Sequence, residues 1–138
     1  MNTQVDKDDP ALAATLWDRV KSSLPTEYQG WQPCMVNERL RVVRYEVGER
    51  TTIHFDGPFT RSPTEKSIFT LMVYLNEDFT GGQTNFYRSS SYEPSFQVQP
   101  KTGTAVLFDH RFVHEGSVVT QGTKLILRTD VMFTRQSS

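Results

Sequence analysis

Cysteine occurs once in the 138 residues, at Cys34. No internal disulfide can form, and a reducing, cytoplasmic setting is the simpler expectation. Histidine is nearly as scarce: His54, His110 and His114 are the three available imidazoles. No apolar run approaches the ~20 residues that a membrane-spanning helix needs, so no membrane partner is expected. The opening Met1-Asn2-Thr3-Gln4 turns acidic at once and lacks signal-peptide character. Excess charge is missing too. Fifteen Lys and Arg offset sixteen Asp and Glu to leave −1, which argues against a nucleic-acid surface. The 36% hydrophobic and 12% aromatic content argues against disorder. The length fits one domain, residues 1–138, able to bury a core.

What is present divides near residue 37. Residues 1–9 are polar and are expected to form a loose tail. Asp9-Pro10 reads as a helix start, with Asp as N-cap and Pro at the first helical position. Leu12, Ala13, Leu16, Trp17, Val20 and Leu24 recur at helical spacing and predict a helix over 10–24, stopped by Pro25. Such a face normally covers the outside of a core sheet. Residues 26–38 read as a loop with room for one short strand, and Cys34 there has no His at motif spacing and reads as a bland thiol. Beyond them, eight segments rich in Val, Ile, Tyr, Phe and Thr read as strands: 39–47, 51–55, 67–75, 84–87, 96–98, 104–108, 113–119 and 124–133. Turn residues separate them at 76–82, 100–103 and 120–122. The run Ser89-Ser90-Ser91 falls where a loop is expected. Many short strands without a second helix predict a mainly β fold over 37–133, a jelly roll carrying an N-terminal supporting helix.

The chemistry concentrates at His54-Phe55-Asp56. On a strand, residues i and i+2 share a face, so His54 and Asp56 converge while Phe55 turns away into packing. One carboxylate and two imidazoles make the three-ligand face that suits non-heme Fe(II) and leaves open positions. His114 is the favoured third ligand. His110, after the strand 104–108, is its rival and otherwise reads as a rim residue, with Asp109 in a turn. Lys124 opens the last strand and can meet an acidic co-substrate. Strand alternation puts Lys124, Ile126, Arg128, Asp130 and Met132 on one face, so an inward Lys124 brings Arg128 and Asp130 with it. Buried charges need partners, so either an Arg128–Asp130 pair or a Lys124–co-substrate pair is expected. The polar segment 57–66 reads as a substrate loop, where Arg61 could meet an acidic substrate.

Three ordered blocks carry a resemblance: Arg44-Tyr45-Glu46-Val47-Gly48 leading to His54-x-Asp56; Tyr74-Leu75-Asn76-Glu77 leading to Gly81-Gly82-Gln83-Thr84-Asn85-Phe86; and Pro100, Gly103 and Phe108 leading to His114, Gly116, Val118, Gly122 and Lys124. Together, over about residues 37–133, they resemble the Fe(II)/2-oxoglutarate-dependent dioxygenases, in particular their prolyl 4-hydroxylase-like branch. The resemblance implies a double-stranded β-helix of the cupin-like kind. It implies Fe(II) on His54, Asp56 and His114, and 2-oxoglutarate held by Lys124 with hydroxyls from Tyr45 and Thr84. It further implies O2 as co-substrate, ascorbate as reductant, and hydroxylation of a C–H bond in a peptidyl residue or small molecule with release of succinate and CO2. Arg128 and Arg61 are the candidate substrate contacts. Three departures bear on the substrate. Collagen-type members carry an Arg where this chain has Lys66-Ser67 and a Trp soon after the co-substrate Lys, where 125–130 has none. The second tyrosine expected before the HxD is Thr51 or Thr52. The alternative is a catalytically silent cupin-like module that holds a metal or a small acid.

Overall fold

The computed structural model describes residues 2–88 and 93–136; the serine run at 89–91 lies outside them. In chain order the elements are β1 (Thr3–Asp8), α1 (Pro10–Val20), β2 (Gln32–Val36), β3 (Arg39–Tyr45), β4 (Thr60–Ser62), β5 (Glu65–Tyr74), β6 (Thr80–Gly81), β7 (Thr84–Tyr87), β8 (Pro94–Val98), β9 (Ala105–Asp109), β10 (Val113–Gly116), β11 (Val119–Gln121) and β12 (Lys124–Thr134). All the strand pairings are antiparallel.

One large sheet runs β1-β3-β12-β5-β4, with β2 also on β12 and β9 also on β5. Its spine is β12, eleven residues long. The first half of β12 pairs with β3 and the second half with β2. Thr129 sits at the change of partner, where its hydroxyl bonds the Asn37 and Arg39 carbonyl oxygens, both at 3.0 Å. A smaller sheet, β10-β7-β8, and the pair β11-β6 complete the fold.

The large sheet buries both faces. Leu71, Val131 and Phe133 meet Ala13, Val20 and Leu24 from the helix side. Met72, Tyr74, Ile126, Val43 and Tyr45 cluster with Val119 on the inner side. Alternation at period two makes both faces possible on one strand. Asp9 caps α1 as expected, accepting the Leu12 N–H at 3.0 Å. The α-helix stops at Val20, and a 3-10 turn, Lys21–Ser23, carries the chain to Leu24. Leu24 is extended because the following Pro25 excludes the helical conformation.

Several expectations are corrected. Residues 3–8 are not a tail but an edge strand in register with β3, from Thr3 opposite Arg44 to Asp8 opposite Arg39. Every β1 side chain is exposed, so backbone hydrogen bonds hold it and no apolar alternation announces it. The segment 57–66 is not an open loop, since β4 folds it against β5. Residues 51–55 form no strand; His54 makes an isolated bridge to His114. Phe55 does not pack inward but is 67% exposed. The span 113–119 is broken into β10 and β11.

Candidate metal centre

His54 and His114 are tied backbone to backbone. The His54 N–H donates to the His114 carbonyl at 2.9 Å, and the His114 N–H donates back at 2.8 Å. This sets the two rings side by side, with centroids 4.3 Å apart. A carbonyl can only accept, so contact with the Thr52 oxygen at 2.6 Å fixes the proton of His54 on Nδ1. The Phe112 oxygen does the same for His114 at 2.9 Å. The two Nε2 lone pairs then face the third ligand. Asp56 lies between them, its Oδ1 3.4 Å from His54 Nε2 and its Oδ2 3.8 Å from His114 Nε2. Ligand atoms of these three residues all lie within 4.8 Å of one another.

Electrostatics favour an ionised carboxylate. Burial opposes the charge on Asp56, but contacts with His54 and Thr70 and the positive field of His114 and Arg128 hold its pKa well below the usual range. Contact with Asp56 raises the pKa of His54. Burial lowers that of His114.

A polar chain from the large sheet orients Asp56. The Thr70 hydroxyl donates to Asp56 Oδ2 at 2.7 Å, and it touches His110 Nδ1 at 2.8 Å. The other ring nitrogen of His110 meets Ser67 Oγ at 2.7 Å, which takes the Phe59 N–H at 2.8 Å. Because Thr70 gives its proton to the carboxylate, His110 Nδ1 is the donor to Thr70. Nε2 of the neutral ring then accepts from Ser67. Burial lowers the pKa of His110, consistent with that neutral form. His110 is 3% exposed, so it is an interior residue rather than a rim residue. Asp109 is likewise no turn residue. It ends β9, buried, and accepts from the Tyr28 hydroxyl at 2.5 Å and from Arg111 at 2.8 Å.

Lys124 points inward and is 3% exposed. Its Nζ donates to the Gly82 carbonyl at 2.7 Å and lies 5.0 Å from the Tyr45 ring and 5.9 Å from the Tyr74 ring. No carboxylate is paired with it among the described residues. Burial lowers its pKa to about 8. Gly82 makes the approach possible: its φ is +70°, and a Cβ there would come within 2.9 Å of Lys124 Cδ. Thr84 is buried with its hydroxyl 2.5 Å from that of Tyr74. Tyr45 stands opposite Lys124 in register.

Lys124, Tyr45, Thr84, His54 and His114 line one narrow pocket of about 30 Å³. The other walls are Thr51, Phe108, Gly116 and Ile126, which the sequence reading named without a pocket role, and Thr70 and Met72, which it missed. Inward parity on β5 is the signal that could have found Thr70 and Met72. Arg128 also lines this pocket, but it forms no ion pair with Asp130, whose carboxylate lies 3.9 Å from His110 Nε2. Arg61 does not stand free on a loop. It lies in β4, 2.5 Å from Glu38 and 3.5 Å from Glu65.

Comparison with known proteins places this geometry. The model of the 2OG-Fe(II) oxygenase superfamily matches residues 40–129. A protein of Arabidopsis thaliana named Probable prolyl 4-hydroxylase 11 is 38% identical over 73 residues, which are 51% of this chain and 24% of that protein. A PKHD-type hydroxylase of Acaryochloris marina is 28% identical over 128 residues, 91% of this chain and 56% of that protein. The matches thus span a quarter to about half of these curated relatives. Among solved structures, the viral collagen prolyl hydroxylase of Paramecium bursaria Chlorella virus-1, in complex with 2OG, superposes with a TM-score of 0.68 at 21% identity, covering 98% of this chain and 80% of that one. A Pseudomonas putida prolyl-4-hydroxylase gives 0.68 at 19% identity, covering 99% and 74%. A Trichoplax adhaerens prolyl hydroxylase, solved with a hypoxia inducible factor peptide fragment, gives 0.69 at 16%, covering 95% and 63%. At these identities the likeness is one of fold.

Proposed function

The chain belongs to the 2OG-Fe(II) oxygenase superfamily, and from that premise we propose that it is an Fe(II)- and 2-oxoglutarate-dependent hydroxylase of the prolyl 4-hydroxylase-like type. It would act on a C–H bond of a peptidyl residue or a small molecule. When bound, iron and 2-oxoglutarate supply O2 activation, with succinate and CO2 as the products of the co-substrate.

The residues fit both groups. Two imidazoles with proton-free Nε2 atoms and one ionised carboxylate are the donor set that a ferrous ion takes. His54, Asp56 and His114 would hold it from one side and leave the other side to co-substrate and O2. The observation that carries the reading is Lys124, a buried ammonium whose hydrogen-bond partner is the Gly82 carbonyl and which has no carboxylate beside it among the described residues. An isolated buried cation is costly, and the distal carboxylate of a diacid would relieve it. Tyr45 and Thr84 flank that position and would add hydroxyl contacts. The pocket is narrow, and Lys124 Nζ and the Gly82 oxygen stand in contact at its wall.

The relatives named above support a prolyl-type hydroxylation. Ascorbate would serve to restore ferrous iron. The test is succinate formation from 2-oxoglutarate by the iron-loaded protein in air. Iron- and O2-dependent succinate release that Asp56→Ala abolishes supports the proposal. Metal binding without any turnover would leave a silent binding module instead.

A further inference from the structure

Arg41 and Arg128 form a pair of like charges side by side. They are directly opposite each other in the β3–β12 register, and Lys124 opposite Tyr45 is four pairs along the same ladder. Opposed residues on neighbouring strands share a face with Cβ atoms roughly 5 Å apart. Lys124 and Arg128 are four residues apart, roughly 13 Å at ~3.3 Å each. The Arg41–Arg128 pair therefore starts well along the sheet from Lys124, although the Arg128 side chain borders the same pocket.

They line a cavity of about 270 Å³ with Asp8, Glu38, Arg39 and Asp130, and Arg128 also lines the metal pocket. The acidic neighbours are largely committed. Asp8 is 2.6 Å from Arg39, and Glu38 is 2.5 Å from Arg61. Asp130 is nearest to His110. Asp6 is in register with Arg41 on the edge strand, where its carboxylate takes the Gln4 amide. Neither arginine is within ion-pair or hydrogen-bond distance of a carboxylate among the described residues, although both charges act on Asp130 at longer range. Like charges placed directly opposite in a sheet destabilise it, and a pair of which one member also borders the metal pocket needs a reason.

We propose that Arg41 and Arg128 form an oxyanion subsite, and that the molecule to be hydroxylated presents a carboxylate to it. The inference rests on the oxygenase reading above. A planar carboxylate suits guanidinium donors, which can bind it in a bidentate manner. Anchored there, the substrate has its neighbouring carbons over the metal, because Arg128 borders both spaces. The carboxylate belongs either to a free acid or to an acidic side chain of a peptide.

The experiment uses the anaerobic protein loaded with Fe(II) and 2-oxoglutarate. Sulfate, as the probe oxyanion, is titrated by calorimetry at constant ionic strength against chloride. Saturable binding in wild type, weakened at least tenfold in both Arg41→Met and Arg128→Met and partly restored in Arg128→Lys, supports the subsite. Equal binding in wild type and variants, or no binding by a wild type that still forms succinate, overturns it. A wild type that neither loads nor forms succinate refutes the oxygenase reading instead. Succinate release is then compared for free amino acids, for their amides, and for end-blocked peptides carrying Asp or Glu. Stimulation by either acidic set over its amide counterpart names the source. Equal stimulation by acid and amide contradicts the inference.

Discussion

Thr70 joins the metal centre to the interior of the large sheet: its hydroxyl lies 2.7 Å from Asp56 Oδ2 and 2.8 Å from His110 Nδ1. The single proton of that hydroxyl makes the chain directional, from His110 through Thr70 to the carboxylate. Partners of this kind hold a ligand in its binding rotamer, and their loss costs metal affinity about 10- to 100-fold. Thr70→Val keeps the shape and removes the hydroxyl. Fe(II) affinity should fall by that factor, and stability by about 1–3 kcal/mol, since His110 is left with an unsatisfied buried donor. Metal titration and denaturant unfolding measure the two effects separately.

Lys124 predicts a trade between stability and binding. Its folded pKa of about 8 lies below the ordinary 10.5, so at pH below 8 the unfolded state holds the charge more readily than the folded one. The folded protein without co-substrate should gain stability as pH rises from about 8 to 10.5. Lys124→Met should be more stable than wild type at pH 7, by up to about 3 kcal/mol, and should fail to bind 2-oxoglutarate. In wild type, 2-oxoglutarate affinity should decline above pH 8, because binding must then also supply a proton. Thermal unfolding across this pH range, with parallel co-substrate titrations, checks each sign.

Gly82→Ala tests the packing beneath that lysine. A Cβ at φ +70° is strained and would come within 2.8 Å of the Phe79 ring and 2.9 Å of Lys124 Cδ. We expect a loss of about 1–3 kcal/mol. The apparent 2-oxoglutarate affinity should weaken, while Fe(II) affinity stays within a few-fold.

The His54–Asp56–His114 cluster was legible because it rests on short-range spacing and residue chemistry: His54 and Asp56 are two apart, and few imidazoles compete. The geometry works even though residues 51–55 form only a bridge, since the His54–His114 hydrogen bonds impose the same extended conformation. Lys124 was legible from the parity of β12. The edge strand β1 was not, because a strand exposed on both faces has no hydrophobic alternation to read. His110 was misplaced for a different reason. Its partners Ser67 and Thr70 lie 43 and 40 positions away on β5, and a local Asp-His after a strand gives no sign of them. Arg41 escaped notice because its significance depends on which strand lies beside β3.

The central claim is that His54, Asp56 and His114 hold one ferrous ion while Lys124 secures 2-oxoglutarate beside it. Anaerobic titration of Fe(II) and 2-oxoglutarate, followed by visible absorption, tests this most directly. A weak metal-to-ligand charge-transfer band should appear at one iron per chain, vanish in His54→Ala, and demand far more 2-oxoglutarate in Lys124→Met. A wild type that binds both components yet shows no band, or an unaltered band in His54→Ala, would contradict the account.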